Sequence, residues 1–184
     1  CSFEQMAPLI ETAKRYGFKN SYPLVFIKKS SAQALKANMR IVGATEYAVV
    51  FYRDKLPKFN NAWQQEETGK KMILNWFEWK RDSVKDIPKI HPTQKPVNLL
   101  EQLIKTFTDP GDVVIDPCAG SGTTLLAANK NGRHSYGFEI YNPFYKEAIE
   151  KMLVIGDEDT QQMDIFDILG IKYPSQTEPQ MTQD

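Results

Sequence analysis

The chain has 184 residues, 23 Lys and Arg against 23 Asp and Glu, and a hydrophobic content of 41%. These values predict one globular domain, with or without an insertion, and exclude a membrane-spanning chain, because no apolar run approaches the roughly 20 residues that a span needs. Cys1 and Cys118 are too few for a disulfide framework, so a reducing cytosol is the expected compartment.

The net charge of zero conceals an asymmetry between the two halves of the chain. Residues 1–95 hold 17 Lys and Arg against 9 Asp and Glu, a net of +8, and residues 96–184 hold 6 against 14, a net of −8. The excess of positive charge predicts that the first half faces a polyanion. Two ordinary solvated surfaces are the alternative.

The first elements in chain order are a helix and two strands. Helical spacing over residues 3–16 is closed by Gly17 as a C-cap. The short β-branched and aromatic runs at 22–29 and 45–53 predict strands. The sequence starts at Cys1 rather than at a methionine and enters this helix directly, so we expect a domain that is incomplete at its N-terminus.

Residues 58–90 form the least regular region of the sequence. All three tryptophans, Trp63, Trp76 and Trp79, lie here among seven Lys and Arg. Aromatic side chains among cations suit stacking on bases and pairing with phosphates. A small satellite core beneath a solvated face explains the same composition, and the sequence leaves both interpretations open.

From residue 91 the pattern becomes α/β. A polar turn is followed by a helix, a strand, a second helix, a second strand and a third helix, which begins with Asn142 as N-cap and Pro143 at its first position. The predicted ranges are 91–96, 97–107, 113–116, 121–130, 134–140 and 142–153. The tail after residue 156 is acidic and then polar, with a short helix expected at 160–169 and disorder at 174–184.

The stretch "VVIDPCAGSGTTLLAA" at residues 113–128 predicts a ligand site between a strand and a helix. A nucleoside-triphosphate loop needs a lysine after its last glycine, but Gly122 is followed by two threonines. A dinucleotide loop needs a third glycine where Leu125 stands. Asp116 and Glu139 end successive strands, 23 residues apart, and such carboxylates can accept ribose hydroxyls. S-adenosylmethionine fits these residues best, and a tight turn without a ligand is the alternative.

Three motifs carry a resemblance to a known family. "HPTQKPVNLLEQLI", "GDVVIDPCAGSGTTLLAA" and "GFEI", in this order, resemble the β class of DNA amino-methyltransferases, which methylate adenine N6 or cytosine N4. The resemblance implies an α/β, Rossmann-like S-adenosylmethionine-dependent methyltransferase sheet in permuted order, incomplete at the N-terminus. The cofactor-binding residues that it implies are His91, Thr93, Lys95, Pro96, Asp116, Pro117, Gly120, Ser121, Gly122, Thr123, Thr124 and Glu139.

The family's amine-binding motif, which resembles Asp-Pro-Pro-Tyr, has no match in these 184 residues, so no catalytic residue is assigned. In this family the motif binds the amine of a flipped base. "NPFY" at 142–145 lacks the second proline and is explained by packing at a helix start. Cys118 follows a proline, as a cytosine-C5 nucleophile does, but it lies inside the cofactor loop. His91 and His134 are too isolated for a metal site.

The resemblance divides the chain into four regions: 1–57 as core with a DNA-facing loop, 58–90 as target-recognition insertion, 91–155 as the S-adenosylmethionine half and 156–184 as tail. We expect Lys28, Lys29, Lys36 and Arg40 to contact double-stranded DNA. The predicted function is methylation of a flipped base, adenine N6 rather than cytosine N4, in a bacterial or phage-encoded cytoplasmic restriction-modification enzyme that could be a homodimer. A non-catalytic cofactor- and DNA-binding fragment and a nicotinamide enzyme are the alternatives.

Overall fold

The computed structural model describes residues 1–31 and 34–156. These ranges contain five α-helices and five strands, and the strands form two small sheets. The predictions for the tail at 157–184 lie outside the described residues. No helix in the described ranges has the length and apolar character that a membrane crossing requires.

The first sheet contains three strands in the order β2-β1-β3. Strand β1 (Asn20–Lys28) pairs with β2 (Thr45–Tyr52) in antiparallel register and with β3 (Trp76–Trp79) in parallel register. Helix α1 (Phe3–Arg15) precedes β1, and Gly17 follows its end with a φ of 85°, which few other residues adopt. The predicted helix and both predicted strands are therefore confirmed to within two residues.

Strand β3 comes from the region that the sequence left irregular. Its burial alternates, with Phe77 and Trp79 buried and Trp76 and Glu78 exposed, as a strand with one core face requires. Helix α2 (Ala62–Thr68) lies in the same region and ends at Gly69, which has a φ of 72°. Two of the three tryptophans thus belong to a strand of the first sheet.

The second sheet contains the α/β half of the chain. Strands β4 (Val113–Asp116) and β5 (His134–Gly137) run parallel, with Asp116 opposite Gly137, and α4 (Thr123–Lys130) connects them. Helix α3 (Val97–Phe107) precedes β4, and α5 (Asn142–Glu147) follows β5 before one π-helical turn and one 3₁₀ turn end at Gly156.

Helix α3 lies between the two sheets and contributes to both hydrophobic cores. Leu99 packs with buried residues of β1 and β3, while Val97 and Ile104 pack with α4 and with Met152. One amphipathic helix therefore fixes the position of the first sheet relative to the loop that follows β4.

Three elements of the α/β half have ends that differ from the predicted ones, and the helix predicted at 142–153 is α-helical only over Asn142–Glu147, with a π-helical turn over Ala148–Met152. Helix α4 starts at Thr123 rather than at 121, because Gly122 has a φ of 75° and ends the loop before it. Strand β5 ends at Gly137 rather than at 140. Tyr141, not Asn142, is the N-cap of α5, so Pro143 stands at the second helical position.

Candidate cofactor site

The two strand-end carboxylates that the sequence singled out lie at one edge of the second sheet. Because β4 and β5 are parallel, Asp116 and the residues after Gly137 meet at the same edge. The N–H of Phe138 donates to the carbonyl of Asp116 at 2.9 Å, and the N–H of Ala119 donates to the carbonyl of Phe138 at 2.8 Å. The loop after β4 is thus bonded to the chain that leads to Glu139.

Glu139 contacts the glycine loop directly. Its carboxylate accepts the N–H of Gly120 at 2.9 Å and the N–H of Tyr141 at 2.7 Å. Gly120 has a φ of 54°, and a side chain at this position would be strained. Each carboxylate oxygen has two lone pairs, so Glu139 can still accept hydroxyl groups of a ligand while it holds the loop.

Gly137 allows the end of β5 to approach the glycine loop closely. A Cβ at this position would lie 2.7 Å from Leu125 Cδ1 and 2.9 Å from the Cβ of Ala119. Carbon atoms in contact are normally about 3.5–4.0 Å apart, so a glycine is required here. The close packing of strand, loop and helix α4 defines the floor of the site.

The turn at residues 91–96 reaches the glycine loop through His91. The His91 ring lies 4.4 Å, centre to centre, from the ring of Phe144, which in turn lies 4.9 Å from that of Tyr141. His91 Cδ2 lies 4.0 Å from the point where Gly120 would carry a Cβ. Phe144 of "NPFY" is therefore a half-buried packing residue between His91 and Tyr141.

Lys95 joins a cluster of side chains on the first sheet. Its Nζ lies 3.0 Å from Glu46 Oε2, Lys28 binds the other oxygen of Glu46, and both ammonium groups lie over the Trp79 ring, at 5.0 and 4.5 Å. Burial alone raises the pKa of Glu46, but hydrogen bonds from Lys28 and then Lys95 outweigh it and hold the pKa below its usual value. We call these four residues the Glu46 cluster.

The remaining predicted cofactor residues differ in how far they are buried. Pro117 and Thr93 are exposed, and Thr93 donates its N–H to His91 Nδ1 at 3.1 Å. Ser121 and Thr123 are buried, and their hydroxyl oxygens lie 3.4 Å apart. Pro96 and Gly122 are buried, and Thr124 is half-buried.

A cavity of about 170 Å³ lies beside Glu139, between the glycine loop and α5. Gly120, Gly122, Tyr145 and Ile149 line it. A carboxylate next to backbone N–H groups and apolar side chains fits a ligand that carries hydroxyl groups on one side and a planar ring on the other. The residues present therefore fit an adenosyl group.

The predicted DNA-contacting residues lie on or after β1. Lys28 is half-buried in the Glu46 cluster, whereas Lys29 is 81% exposed and lies 2.9 Å from Glu78 Oε1. Lys36 lies in a 3₁₀ turn (Ala34–Lys36), and both it and Arg40 are exposed. Lys28 is therefore less exposed than the other three predicted DNA-contacting residues.

Sequence reasoning missed Glu46 as a member of the site. Phe26 lies opposite Glu46 in the β1–β2 register, which places Glu46 beside the end of β1 that carries Lys28. The paired strands were predicted, but their register was not, and only the register reveals which acid meets Lys28.

Comparisons with known proteins place the chain among DNA methylases. The profile of the family described as DNA methylase, of the N6/N4 type, matches residues 1–151. The DNA adenine methyltransferase YhdJ of Escherichia coli K12 is 29% identical over 161 residues, which cover 88% of this chain and 48% of that protein.

Solved structures share the fold. The structure of the M1.HpyAVI–SAM complex has a TM-score of 0.65 and 25% identity, covering 80% of this chain and 69% of that one. PvuII DNA methyltransferase (cytosine-N4-specific) has a TM-score of 0.68 and 20% identity, covering 92% and 62%. The predicted α/β fold is confirmed, and the chain spans about half the length of its curated relative YhdJ.

Proposed function

The chain belongs to the N6/N4 DNA methylase family, and from this premise we propose that it transfers a methyl group from S-adenosylmethionine to the exocyclic amine of a flipped DNA base. The observation that carries the proposal is the glycine loop held between two strand-end carboxylates, Asp116 and Glu139. Adenine N6 is proposed over cytosine N4, supported by the likeness to a DNA adenine methyltransferase.

In this proposal Glu139 accepts ribose hydroxyls while it keeps its bond to the Gly120 N–H. The backbone at Gly120 and Gly122 lets the ligand approach closely, and the turn from His91 to Pro96 covers the methionine side. When bound, S-adenosylmethionine supplies a methyl group on a positively charged sulfur. Asp116 is free of ion pairs among the described residues, so its negative charge favours such a cationic ligand.

Contact with double-stranded DNA is assigned to Lys28, Lys29, Lys36 and Arg40. Lys29, which directly follows β1, is more exposed than Lys28 at the end of β1, which supports direct contact of Lys29 with phosphate. The region 58–90 is proposed as the target-recognition insertion, with β3 as the part that joins the first sheet.

One observation favours the alternative of a chain that binds cofactor and DNA but needs a further segment for catalysis. Strand β4 pairs with β5 alone among the described strands, and Val113 and Ile115 are 54% and 62% exposed. β-branched residues of parallel strands are normally covered. A strand that carries the amine-binding motif, from an upstream segment or a partner chain, would pair with the other edge of β4, and a helix joined to it would cover the face that Val113 and Ile115 share.

Methyl transfer from radiolabelled S-adenosylmethionine to duplex DNA tests the proposal, with the methylated nucleoside identified by mass spectrometry. We expect N6-methyladenine, and less of it from Glu139→Ala than from the matched surface variant Glu11→Ala. N4-methylcytosine would replace the adenine assignment. Cofactor binding without transfer, restored by a second chain carrying the missing motif, would establish the alternative instead.

A further inference from the structure

A second and larger cavity, of about 700 Å³, lies between β3 and the turn at residues 91–96. Its lining includes Lys29, Lys80, Arg81 and Lys89, which we call the basic groove. The lining is strongly cationic, because it holds five Lys and Arg, Lys28 included, against two carboxylates, Glu46 and Asp82.

Both carboxylates of the cavity have partners other than Arg81 and Lys89. Glu46 binds Lys28 and Lys95, and Asp82 accepts the N–H of Val97 at 3.2 and 3.0 Å, at the start of α3. Within the described ranges, Arg81 and Lys89 form no ion pair. The groove therefore presents positive charge that the protein itself does not neutralise.

The backbone that carries Arg81 is anchored on both sides of the residue. Trp79, two residues before it, pairs with Lys28 in the sheet and is 9% exposed. Asp82, directly after it, caps helix α3. The planar guanidinium of Arg81 presents its N–H donors in a fixed geometry that matches the oxygens of a phosphate.

The backbone on both sides of Lys89 is bonded to a single residue of the cofactor-side turn. Gln94 donates from Nε2 to the carbonyl of Pro88 at 2.9 Å, and its Oε1 accepts the N–H of Ile90 at 3.0 Å. The backbone on each side of Lys89 is therefore bonded to the turn that carries His91 and Lys95. The backbone of the groove at Lys89 is thus hydrogen-bonded to the cofactor-side turn.

We propose that the basic groove binds the sugar-phosphate backbone of the DNA, with Arg81 and Lys89 contacting phosphates and Lys29 and Lys80 flanking them. The proposal rests on the proposed function and extends it, because it assigns a phosphate path to residues outside the β1 set. The path runs past Pro92 and Thr93, which also line the cavity, and so brings the DNA backbone to the cofactor-side turn. Neutralised phosphates release counterions, which makes the affinity depend on salt.

The test measures binding of the full chain to a short fluorescein-labelled duplex by anisotropy, from about 50 to about 200 mM salt. Arg81→Gln and Lys89→Gln should each reduce the slope of log K against log salt by about one unit, and the double variant by about two. Arg81→Lys should keep the slope.

The matched control is Lys19→Gln, which removes the same charge from the opposite end of β1, roughly 30 Å from Lys28 at about 3.3 Å per residue. It should leave the slope unchanged. Slopes of the groove variants equal to that of the wild type would overturn the proposal, and so would an absence of salt-dependent duplex binding by the wild type. Displacement of the labelled duplex by polyglutamate at a lower charge concentration than unlabelled duplex requires would instead identify a surface for acidic proteins and also overturn it.

Calorimetric binding of S-adenosylmethionine by the same variants separates this proposal from the proposed function. Wild-type cofactor binding with unchanged slopes contradicts the groove alone. Slopes that fall as expected in a chain that binds no cofactor contradict the proposed function and leave the groove supported.

Discussion

Replacement of Gly137 by alanine tests how closely the glycine loop packs on the end of β5. The new Cβ would lie 2.7 and 2.9 Å from the two methyl carbons of Leu125 and 2.9 Å from the Cβ of Ala119. Normal contacts require these atoms to move by about 0.6–1.3 Å. Leu125 can move only slightly because it is buried, and Ala119 can move only together with the backbone of the glycine loop.

Overpacking of this kind costs about 1–3 kcal/mol of the free energy of unfolding. For a chain of this length, that cost corresponds to a fall in Tm of about 2–12 °C. The φ of Gly137 lies outside the left-handed region, so the effect reports packing and not backbone strain. Displacement of Ala119 should also weaken the binding of S-adenosylmethionine, because the displaced backbone belongs to the loop between Asp116 and Gly120.

Thermal unfolding followed by circular dichroism, with cofactor calorimetry on the same samples, provides the measurement. Gly43→Ala is the control, because nothing lies within 4 Å of its new Cβ and no positive φ is required there. It should change stability by less than about 1 kcal/mol. A Gly137→Ala protein with the Tm and cofactor affinity of the wild type would refute the close packing described for the site.

Three further variants test the Glu46 cluster and the cap of α3. Glu46→Gln should lower the free energy of unfolding by about 1–3 kcal/mol at pH 7, because Lys28 and Lys95 lose their shared carboxylate. The pKa of Glu46 in the folded protein is lowered, so the contribution of Glu46 to stability is complete above its unfolded pKa of about 4.3 and is lost as the pH falls through the folded pKa. The free energies of unfolding of the wild type and Glu46→Gln, measured with urea across this range, should therefore converge at low pH. A difference that stays constant with pH would contradict the assignment. Asp82→Ala should cost about 1 kcal/mol in urea unfolding, because the N–H of Val97 loses its acceptor. Burial raises the pKa of Asp82 and outweighs the opposite effect of the hydrogen bond from Val97, so the charged carboxylate is costly to bury. Asp82→Asn should therefore be at least as stable to urea as the wild type at pH 7, because the amide oxygen can still accept the N–H of Val97 and carries no charge. Equal losses of stability in Asp82→Asn and Asp82→Ala would exclude a capping role.

The α/β half of the fold could be predicted from the sequence because its signals are local. The apolar spacing of α3, the β-branched run of β4 and the glycines before α4 each determine an element within about ten residues. Parallel pairing of β4 and β5 then follows from the helix that joins them, and it places Asp116 and Glu139 at one edge.

The Glu46 cluster and the basic groove could not be predicted, because their members meet only through long-range pairing. Strand β3 has four residues and joins the sheet beside β1, some fifty positions earlier in the chain. Trp79 contacts Lys28 and Lys95 only as a result of that register. Composition alone left the tryptophan-rich region open between a small core and a nucleic-acid surface, and β3 assigns Trp79 to a core.

Calorimetric titration of the chain with S-adenosylmethionine, and in parallel with NAD, determines whether the glycine loop and Glu139 form an S-adenosylmethionine site. We predict saturable binding of one S-adenosylmethionine per chain, weakened by at least about tenfold in Glu139→Ala, as loss of hydrogen bonds to a charged group implies, and no binding of NAD. Binding of NAD, or an equal affinity of the wild type and Glu139→Ala for S-adenosylmethionine, would contradict this assignment.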